Sequence, residues 1–274
     1  IMKNIYSLIF IFLPFLFFGQ SVDFKIQYRP QTKYLQNVQQ NIENTIYYSA
    51  TDEILEKLKE NGIQNPTITK STSDIQSVFK AGKLKSDGTF PITMEFLNTV
   101  KSNNKTLIPS GTLIYGKGTV SKMPQLDSIV SKDMEETFKK TILQTVQSTF
   151  SQLDLPQKTL KTGESFSQET PLTIPVAGTS IEMILTTTYK LISIANKTAN
   201  FDISIVYTMK VSVEKYNLQG SGTGKGKMLY DITNSFPTKY DLDTEMIFDM
   251  KQNDFSIQAK TKSGFYQTVQ ILKN

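Results

Sequence analysis

An alternation of apolar and polar side chains in residues 202–214 constrains the fold of this chain more than any other feature. The odd positions of this run are apolar, and the even positions are polar with the exception of Val206. Successive side chains of a β-strand point to opposite faces of the sheet, so the pattern predicts a strand with one buried and one wet face. Residues 240–250 repeat the pattern.

Residues 255–261 and 265–271 predict two further strands, separated by Ser263 and Gly264. Burial of one face with short polar turns is typical of antiparallel sheets. These strands exceed the usual length of about five or six residues. Because long strands coil, we expect a mainly β (α+β) fold of long, curved antiparallel strands, as a curved sheet or a partly closed one.

Two segments have helical spacing instead. Residues 52–61 predict a short helix that is capped by Asp52 and ended by Gly62. Residues 131–153 place apolar side chains at helical intervals, with Ser131 as a candidate N-cap and Pro156 as a stop. This segment predicts one long amphipathic helix that packs on the sheet.

Similar segments recur along the chain. Residues 90–100 align with residues 201–211, and the Gly-Lys-Gly sequence at 116–118 recurs at 224–226. A repeat of this kind predicts an internal duplication. We therefore expect two related halves. The first β-rich half is residues 21–126, with the short helix at 52–61; a linking amphipathic helix spans 127–156; the second β-rich half is residues 157–274.

Residues 1–20 have the pattern of a signal peptide. Lys3 precedes an apolar run at 5–18, and the small or polar residues 19–21 follow. The run is shorter than the roughly 20 residues that span a membrane. With no cysteine to carry a lipid, we expect cleavage near Gln20, a periplasmic or secreted protein, and no stable membrane insertion after signal cleavage.

The chain has no His and no Cys. This composition excludes Ser-His and Cys-His nucleophilic sites, His- or thiolate-ligated zinc, iron–sulfur clusters and disulfides. We therefore assign no catalytic, metal-binding or cofactor-binding residue, expect no cofactor, and leave the ligand-binding residues unknown.

The charge balance argues against a nucleic-acid partner. Lys and Arg total 30 against 25 acidic residues, and Arg29 is the only arginine. Proteins that bind nucleic acid concentrate arginine on one face. Here scattered lysines predict solvated strand faces.

A glycine-rich stretch at residues 220–226 has the composition of a phosphate loop but not its spacing. The G-x-x-x-x-G-K-[ST] pattern is missing, and a strand-like sequence follows where a helix is required. Glycines within strands mark bulges, tight coiling or close backbone approach. We favour a bulge.

Asp241, Asp243 and Glu245 project from one face of a predicted strand. Three carboxylates could bind Ca²⁺ or serve a glycoside hydrolase. A solvated outer face with lysine partners on neighbouring strands is the interpretation we favour. Ser-Lys chemistry has no support, because the S-x-x-K motif is missing.

Aromatic residues are Phe and Tyr without Trp. Phe96, Tyr115, Tyr189 and Tyr207 are predicted to lie in the core on inward faces. If the curved sheet does not close on itself, this apolar face could line a cavity for a lipid or similar ligand.

Residues 23–30 (DFKIQYRP), the central helix, and the later Leu155-Pro and Leu160-x-x-Gly163-x-x-Phe166 elements carry a resemblance. The chain resembles an uncharacterised family of secreted or periplasmic β-rich proteins of Gram-negative bacteria, a domain of unknown function. At the level of fold alone it is similar to envelope lipoprotein carriers, whose open half-barrel holds an acyl chain over a helix. Neither resemblance implies a functional residue.

Three functional hypotheses follow. The first is an exported, non-enzymatic binding or interaction protein of the bacterial cell envelope, with an envelope protein or ligand held on the sheet surface. The alternative is a periplasmic carrier of a lipid or other apolar ligand in the curved sheet. The third is a carboxylate-based hydrolase of envelope polymers.

Overall fold

A computed structural model describes residues 20–101, 108–153, 155, 157–176, 179–209 and 218–273. Within these residues the chain forms thirteen strands and two helices. In chain order they are β1 (Ser21–Phe24), β2 (Thr32–Ser49), α1 (Asp52–Glu60), β3 (Thr67–Ala81), β4 (Thr89–Lys101), β5 (Leu113–Thr119), β6 (Gln125–Val130), α2 (Glu136–Gln152), β7 (Lys158–Lys161), β8 (Ser165–Val176), β9 (Thr179–Ala195), β10 (Thr198–Met209), β11 (Leu218–Asp231), β12 (Phe236–Gln252) and β13 (Phe255–Lys273). The predicted signal peptide lies almost entirely outside the described residues.

Eleven of the described strands form a single sheet in the order β6-β5-β4-β3-β2-β13-β12-β11-β10-β9-β8, and β1 pairs with β7 in a second, two-stranded sheet. All neighbouring strands are antiparallel. The meander β2–β6 and the meander β8–β13 join where β2 pairs with β13. The prediction of a mainly β, antiparallel fold is confirmed.

The structure shows no clear split of the sheet into the two related halves that the sequence predicts. The described strands of both segments run through one continuous sheet, with no break between them. The proposed repeats also pair differently: Phe90 faces Gly118, whereas the counterpart Phe201 faces Met228 and Gly226 faces Ile203. A shift of two residues in the pairing separates the two hairpins, so the similar sequences do not form equivalent ladders.

The division of residues 255–271 into two strands is wrong. β13 continues without interruption through Ser263 and Gly264. Gly264 is held in the ladder from both sides, facing Asp243 on β12 and Asn41 on β2. A glycine that is paired on two edges does not end a strand. The end of the predicted strand at 202–214 lies outside the described residues from position 210 onward.

The two helices differ from their predicted lengths. α1 ends at Glu60, and α2 begins at Glu136 with Glu135, not Ser131, in the N-cap position. β6 occupies the chain as far as Val130, and the Ser131 hydroxyl is bonded to the Thr112 hydroxyl at 3.0 Å. The predicted long helix is therefore shorter than expected, because its first residues belong to the sheet and its turn.

The segment from the end of β1 to the start of β2 contributes two buried aromatic side chains, Phe24 and Tyr28. The Phe24 side chain is fully buried and its ring centroid lies 5.1–5.7 Å from those of Phe166, Tyr189, Phe201 and Tyr230. Tyr28 lies 4.3–5.5 Å from the rings of Tyr34, Phe79, Phe150 and Phe236. These are two separate hydrophobic clusters. One short segment therefore contributes an aromatic side chain to each of the two clusters.

The two edges of the large sheet are each blocked. At β6 the Leu126 amide donates to Gln147 Oε1 of α2 at 2.8 Å, and Gln147 Nε2 donates to the Pro124 carbonyl at 3.2 Å. At β8 the edge carries Pro171 and Pro175, which have no N–H to offer another strand. Both devices oppose strand addition at an exposed edge.

Replacing Phe24 by Ala should lower the free energy of unfolding by about 3–5 kcal/mol, since it removes a buried aromatic side chain and leaves a cavity among four rings. Urea unfolding followed by circular dichroism measures the loss. Phe138→Ala is the matched control, because Phe138 is 43% exposed on α2 and its loss should cost less than about 1 kcal/mol. Equal losses in the two variants would contradict the anchoring role.

Candidate functional site

The two faces of the large sheet differ in charge. Residues that face each other across a ladder lie on the same side of the sheet. We call the side that carries the buried Phe201, Ile203 and Ile205 the inner face and the opposite side the outer face. No Asp, Glu, Lys or Arg occupies an inner position in residues 34–48, 67–79, 166–172, 183–191, 199–209, 218–230, 240–250 and 255–271.

The three predicted carboxylates lie on the outer face of β12. Asp241 faces Lys227, Asp243 faces Lys225 and Glu245 faces Lys262. The ladder thus gives each carboxylate a lysine on a neighbouring strand. The Asp241 carboxylate also forms an ion pair with Lys239, whose Nζ lies 2.7 Å from Asp241 Oδ2. The three carboxylates are spread along one strand and do not converge.

The charges on the outer face alternate from strand to strand. One row runs through Lys190, Asp202, Lys227 and Asp241 on β9 to β12. Another runs through Glu245, Lys262, Glu43 and Lys70 on β12, β13, β2 and β3. Alternating signs across a ladder are favourable, whereas like charges directly opposite are not.

The second row holds a direct ion pair. Lys70 Nζ lies 2.7 Å from Glu43 Oε2. Hydrogen bonding to Lys70 and the charges of Lys70 and Lys262 hold the pKa of Glu43 below its ordinary value. The neighbouring lysines therefore favour the ionised form of the Glu43 carboxylate.

Three grooves of about 710, 550 and 710 Å³ lie along this face. The first shares Thr223 and Glu245 with the second, and the second shares Lys225 and Asp243 with the third. The three are therefore continuous, and we call them together the outer groove. Its lining at outer positions includes Lys190, Asp202, Ser204, Val206, Ser221, Thr223, Lys225, Lys227, Asp241, Asp243, Glu245, Lys262 and Tyr266.

Gly264 and Tyr266 shape the middle of the outer groove. A Cβ at Gly264 would lie 2.6 Å from the Tyr266 hydroxyl, so the glycine leaves room for that ring. The Tyr266 hydroxyl donates to Asp243 Oδ1 at 2.6 Å, and the nearby carboxylate raises the pKa of the phenol. Sequence reasoning assigned neither residue to a site, because the pairing of Gly264 with Asp243 depends on the register of two distant strands.

The glycines of β11 lie on the inner face and are not at a bulge. Pairing with β12 is regular from Leu218 to Leu229, and the register shift comes after Leu229. A Cβ at Gly222 would stand 2.7 Å from the carbonyl oxygen of Glu245 and 2.7 Å from Met246 Cγ. The favoured bulge interpretation is therefore wrong, and close backbone approach explains these glycines.

This close approach bends the sheet at β11. A few Cα atoms of β10 and β12, the strands that flank β11, come within 8 Å of each other. Two strand spacings in a flat sheet amount to about 9.6 Å. At Gly224 the side chains of Thr244 and Ile205 approach from both neighbouring strands, so the inner face is the concave side at this point.

Phenols, apolar side chains and uncharged polar side chains occupy the inner face. Burial raises the pKa of Tyr189 to about 12, and it also raises the pKa values of Tyr207 and Tyr240. Met183 and Leu218 are almost fully buried in a cluster with neighbouring methionine, aromatic and leucine side chains. The inner face is thus neutral as well as free of acidic and basic residues.

The predicted core aromatics divide between burial and exposure. Phe96 and Tyr189 are buried, and Tyr207 is partly buried. Tyr115 is 39% exposed, contrary to the prediction. It faces Thr93 on β4 and Ser128 on β6, so its position in the alternation places it on the wet side of the sheet.

Nowhere in the part of the chain that the structure describes do three or more acidic side chains group closely enough to hold a metal ion. No helix within the described ranges has the length and apolar character needed to cross a membrane.

No family model matches this chain, and no curated protein matches it significantly. Among solved structures, Pseudomonas aeruginosa OccK7 (OpdD) aligns with a TM-score of 0.19 and 6% identity, over 87% of this chain and 100% of that one. The V. cholerae type IV competence pilus secretin PilQ aligns with a TM-score of 0.15 and 8% identity, over 89% of this chain and 60% of that one. Scores this low carry no argument about fold or function.

Replacing Gly222 by Val should destabilise the protein by roughly 1–3 kcal/mol, because the new side chain would meet the β12 backbone. Ser221→Val, one residue away on the exposed outer face, should be neutral or slightly stabilising, since β-branched residues favour strands. Urea unfolding of both variants compares them directly. A tolerated Gly222→Val would contradict close approach at β11.

The buried phenols predict a loss of stability at high pH. The pKa of Tyr189 is raised from 10.0 to about 12, so the folded state binds the phenol proton more tightly than the unfolded state. Its contribution is complete below about pH 10 and is lost as the pH rises toward about 12. Urea unfolding across this range should show a shallower decline in Tyr189→Phe than in the wild type, whereas Tyr47→Phe, at an exposed position, should match the wild type.

Proposed function

We propose that this chain is an exported, non-enzymatic binding or interaction protein of the bacterial cell envelope, periplasmic or secreted, which holds a ligand or partner protein in the outer groove. The observation that carries the proposal is the continuity of three grooves across the charged face of one sheet. The predicted export signal and the resemblance to secreted β-rich proteins support the location.

The placement of the carboxylates favours binding over hydrolysis. A glycoside hydrolase needs two carboxyl groups that flank the scissile bond at about 5–10 Å. Asp241, Asp243 and Glu245 instead follow one another along β12, each opposite a lysine. Such a ladder presents charges to a partner without setting two acids against one bond.

The chemistry of the outer groove favours a polar partner. Lysines and carboxylates alternate along both rows, and the hydroxyl groups of Ser204, Ser221 and Thr223 lie between them. A partner that carries both charge signs, such as a protein surface, matches this pattern better than a polyanion such as nucleic acid, which would meet a carboxylate beside every lysine.

A bulky side chain in the outer groove tests the proposal. Ser204→Trp, at an exposed position that lines the groove, should abolish retention of the partner, because the indole occupies the space between Lys225 and its neighbours. Gln270→Trp, exposed on the outer face of β13 away from the groove, is the matched control and should retain it. The measurement is native mass spectrometry of protein purified from the envelope fraction of its own host.

Retention by both variants, or purification of all proteins without any bound molecule, would contradict binding in the outer groove. Loss in the control alone would contradict it as well. Thermal unfolding of each variant confirms that the substitution leaves the fold intact.

The inner face favours a second candidate function, a carrier of a lipid or other apolar ligand. The specific observation is the absence of charged residues from the inner positions of eight strands in the described ranges, together with the concave bend at β11. Met209→Glu would place a carboxylate on this face, and Thr208→Glu places one on the outer face. If the chain carries lipid, a lipid mass should be lost in the first variant only; a wild-type protein free of lipid would contradict this candidate.

A further inference from the structure

A separate pocket lies at the end of the sheet opposite α1. The segment before β2, the residues after β5, the turn between β11 and β12, and the end of β13 meet there around a volume of about 540 Å³. We call it the Arg29 pocket. Apart from Pro30 and Val120, its lining residues are polar: Gln27, Arg29, Gln31, Thr32, Thr233, Asn234 and Lys273. It shares no residue with the outer groove.

Arg29 is the single arginine of the chain, and most N–H groups of its guanidinium have no hydrogen-bond partner among the described residues. Nη2 donates to the Ser235 hydroxyl at a long 3.4 Å. Within the described ranges, no carboxylate oxygen lies within 4.0 Å of this group, and the ion pairs found there are all formed by lysines. A guanidinium carries five N–H donors in a planar fork, so most of them are available to a bound group.

The lining of the Arg29 pocket is cationic. Lys273 joins Arg29, and none of the nine lining residues is Asp or Glu. The acidic residue nearest in sequence is Asp231, and both of its carboxylate oxygens accept hydrogen bonds from Asn234, at 3.0 and 2.6 Å. This contrasts with the outer groove, where carboxylates face the lysines.

The backbone around Arg29 is held firmly. The Arg29 amide donates to the Tyr34 hydroxyl at 2.9 Å, the Gln27 amide donates to the Ser235 carbonyl at 3.0 Å, and the Gln31 amide donates to the Gly82 carbonyl at 2.9 Å. Gln31 and Ser235 both adopt a φ of 53°, in the left-handed region that non-glycine residues rarely occupy. Backbone strain of this kind persists where the surroundings over-determine it, and it clusters at ligand sites.

We propose that the Arg29 pocket binds an oxyanion, a carboxylate or phosphate group, through a two-point contact with the Arg29 guanidinium and a charge contact with Lys273. The fork of an arginine matches the two oxygens of such a group. The side-chain amide of Gln27 donates to the Val120 carbonyl and the Thr32 hydroxyl donates to the Pro30 carbonyl. The two cations, with the Gln31 side chain and the Thr233 hydroxyl, are left to define the anion position. This site is independent of the outer groove and of the function proposed for it.

Isothermal titration calorimetry of the purified protein, with inorganic phosphate in one arm and succinate in the other, tests the proposal. Saturable binding of at least one anion is expected. Arg29→Gln should weaken it roughly tenfold or more, since hydrogen bonds to charged groups are among the strongest. Arg29→Lys should weaken it less, because it keeps the charge but loses the fork. Lys251→Gln, exposed on β12, is the matched control and should bind as the wild type does.

Binding of phosphate alone or of succinate alone identifies which source of the oxyanion the site accepts. Lys273→Gln, at the end of β13, should also weaken binding and provides a second test if Arg29→Gln does not fold. The proposal is overturned if neither anion binds saturably, if the Lys251→Gln control weakens binding as much as Arg29→Gln, or if the Arg29 and Lys273 variants bind as tightly as the wild type.

Discussion

The ladder between β2 and β13 is the constraint on which the remaining structure depends. It joins two meanders into one sheet and sets the register that places Lys262 of β13 opposite Glu43 of β2. A slip of one residue in this ladder would move the apolar side chains of β13 to the wet face. The segment that carries Phe24 and Tyr28 secures the arrangement, since each ring fills a different hydrophobic cluster on the inner face.

That register produces a sheet with two chemically distinct sides. The inner face is uncharged, and neighbouring strands approach it closely at the glycines of β11. The outer face carries alternating Lys and acidic residues around the outer groove. The Arg29 pocket differs from both because its cations have no facing carboxylate in the described chain. Three surfaces of different chemistry, one uncharged, one of mixed charge and one cationic, therefore coexist in the described chain.

Local sequence patterns predict what depends on local geometry. The period of two along residues 240–250 is sufficient to predict the strand and the shared face of Asp241, Asp243 and Glu245. The length of α2 and the continuity of β13 were mispredicted, because they depend on contacts with distant residues: Ser131 bonds to Thr112, and Gly264 is paired on both sides. Arg29 stands out in the sequence as the sole arginine, but its partners Ser235 and Lys273 lie more than 200 residues further along the chain.

The position of Phe24 has a consequence for the order of folding. Its aromatic partners come from strands β8 to β11, and its own strand β1 pairs with the distant β7. Contacts so distant along the polypeptide carry a high loop-closure cost and form slowly. The packing around Phe24 is therefore completed only after strands β8 to β11 have formed.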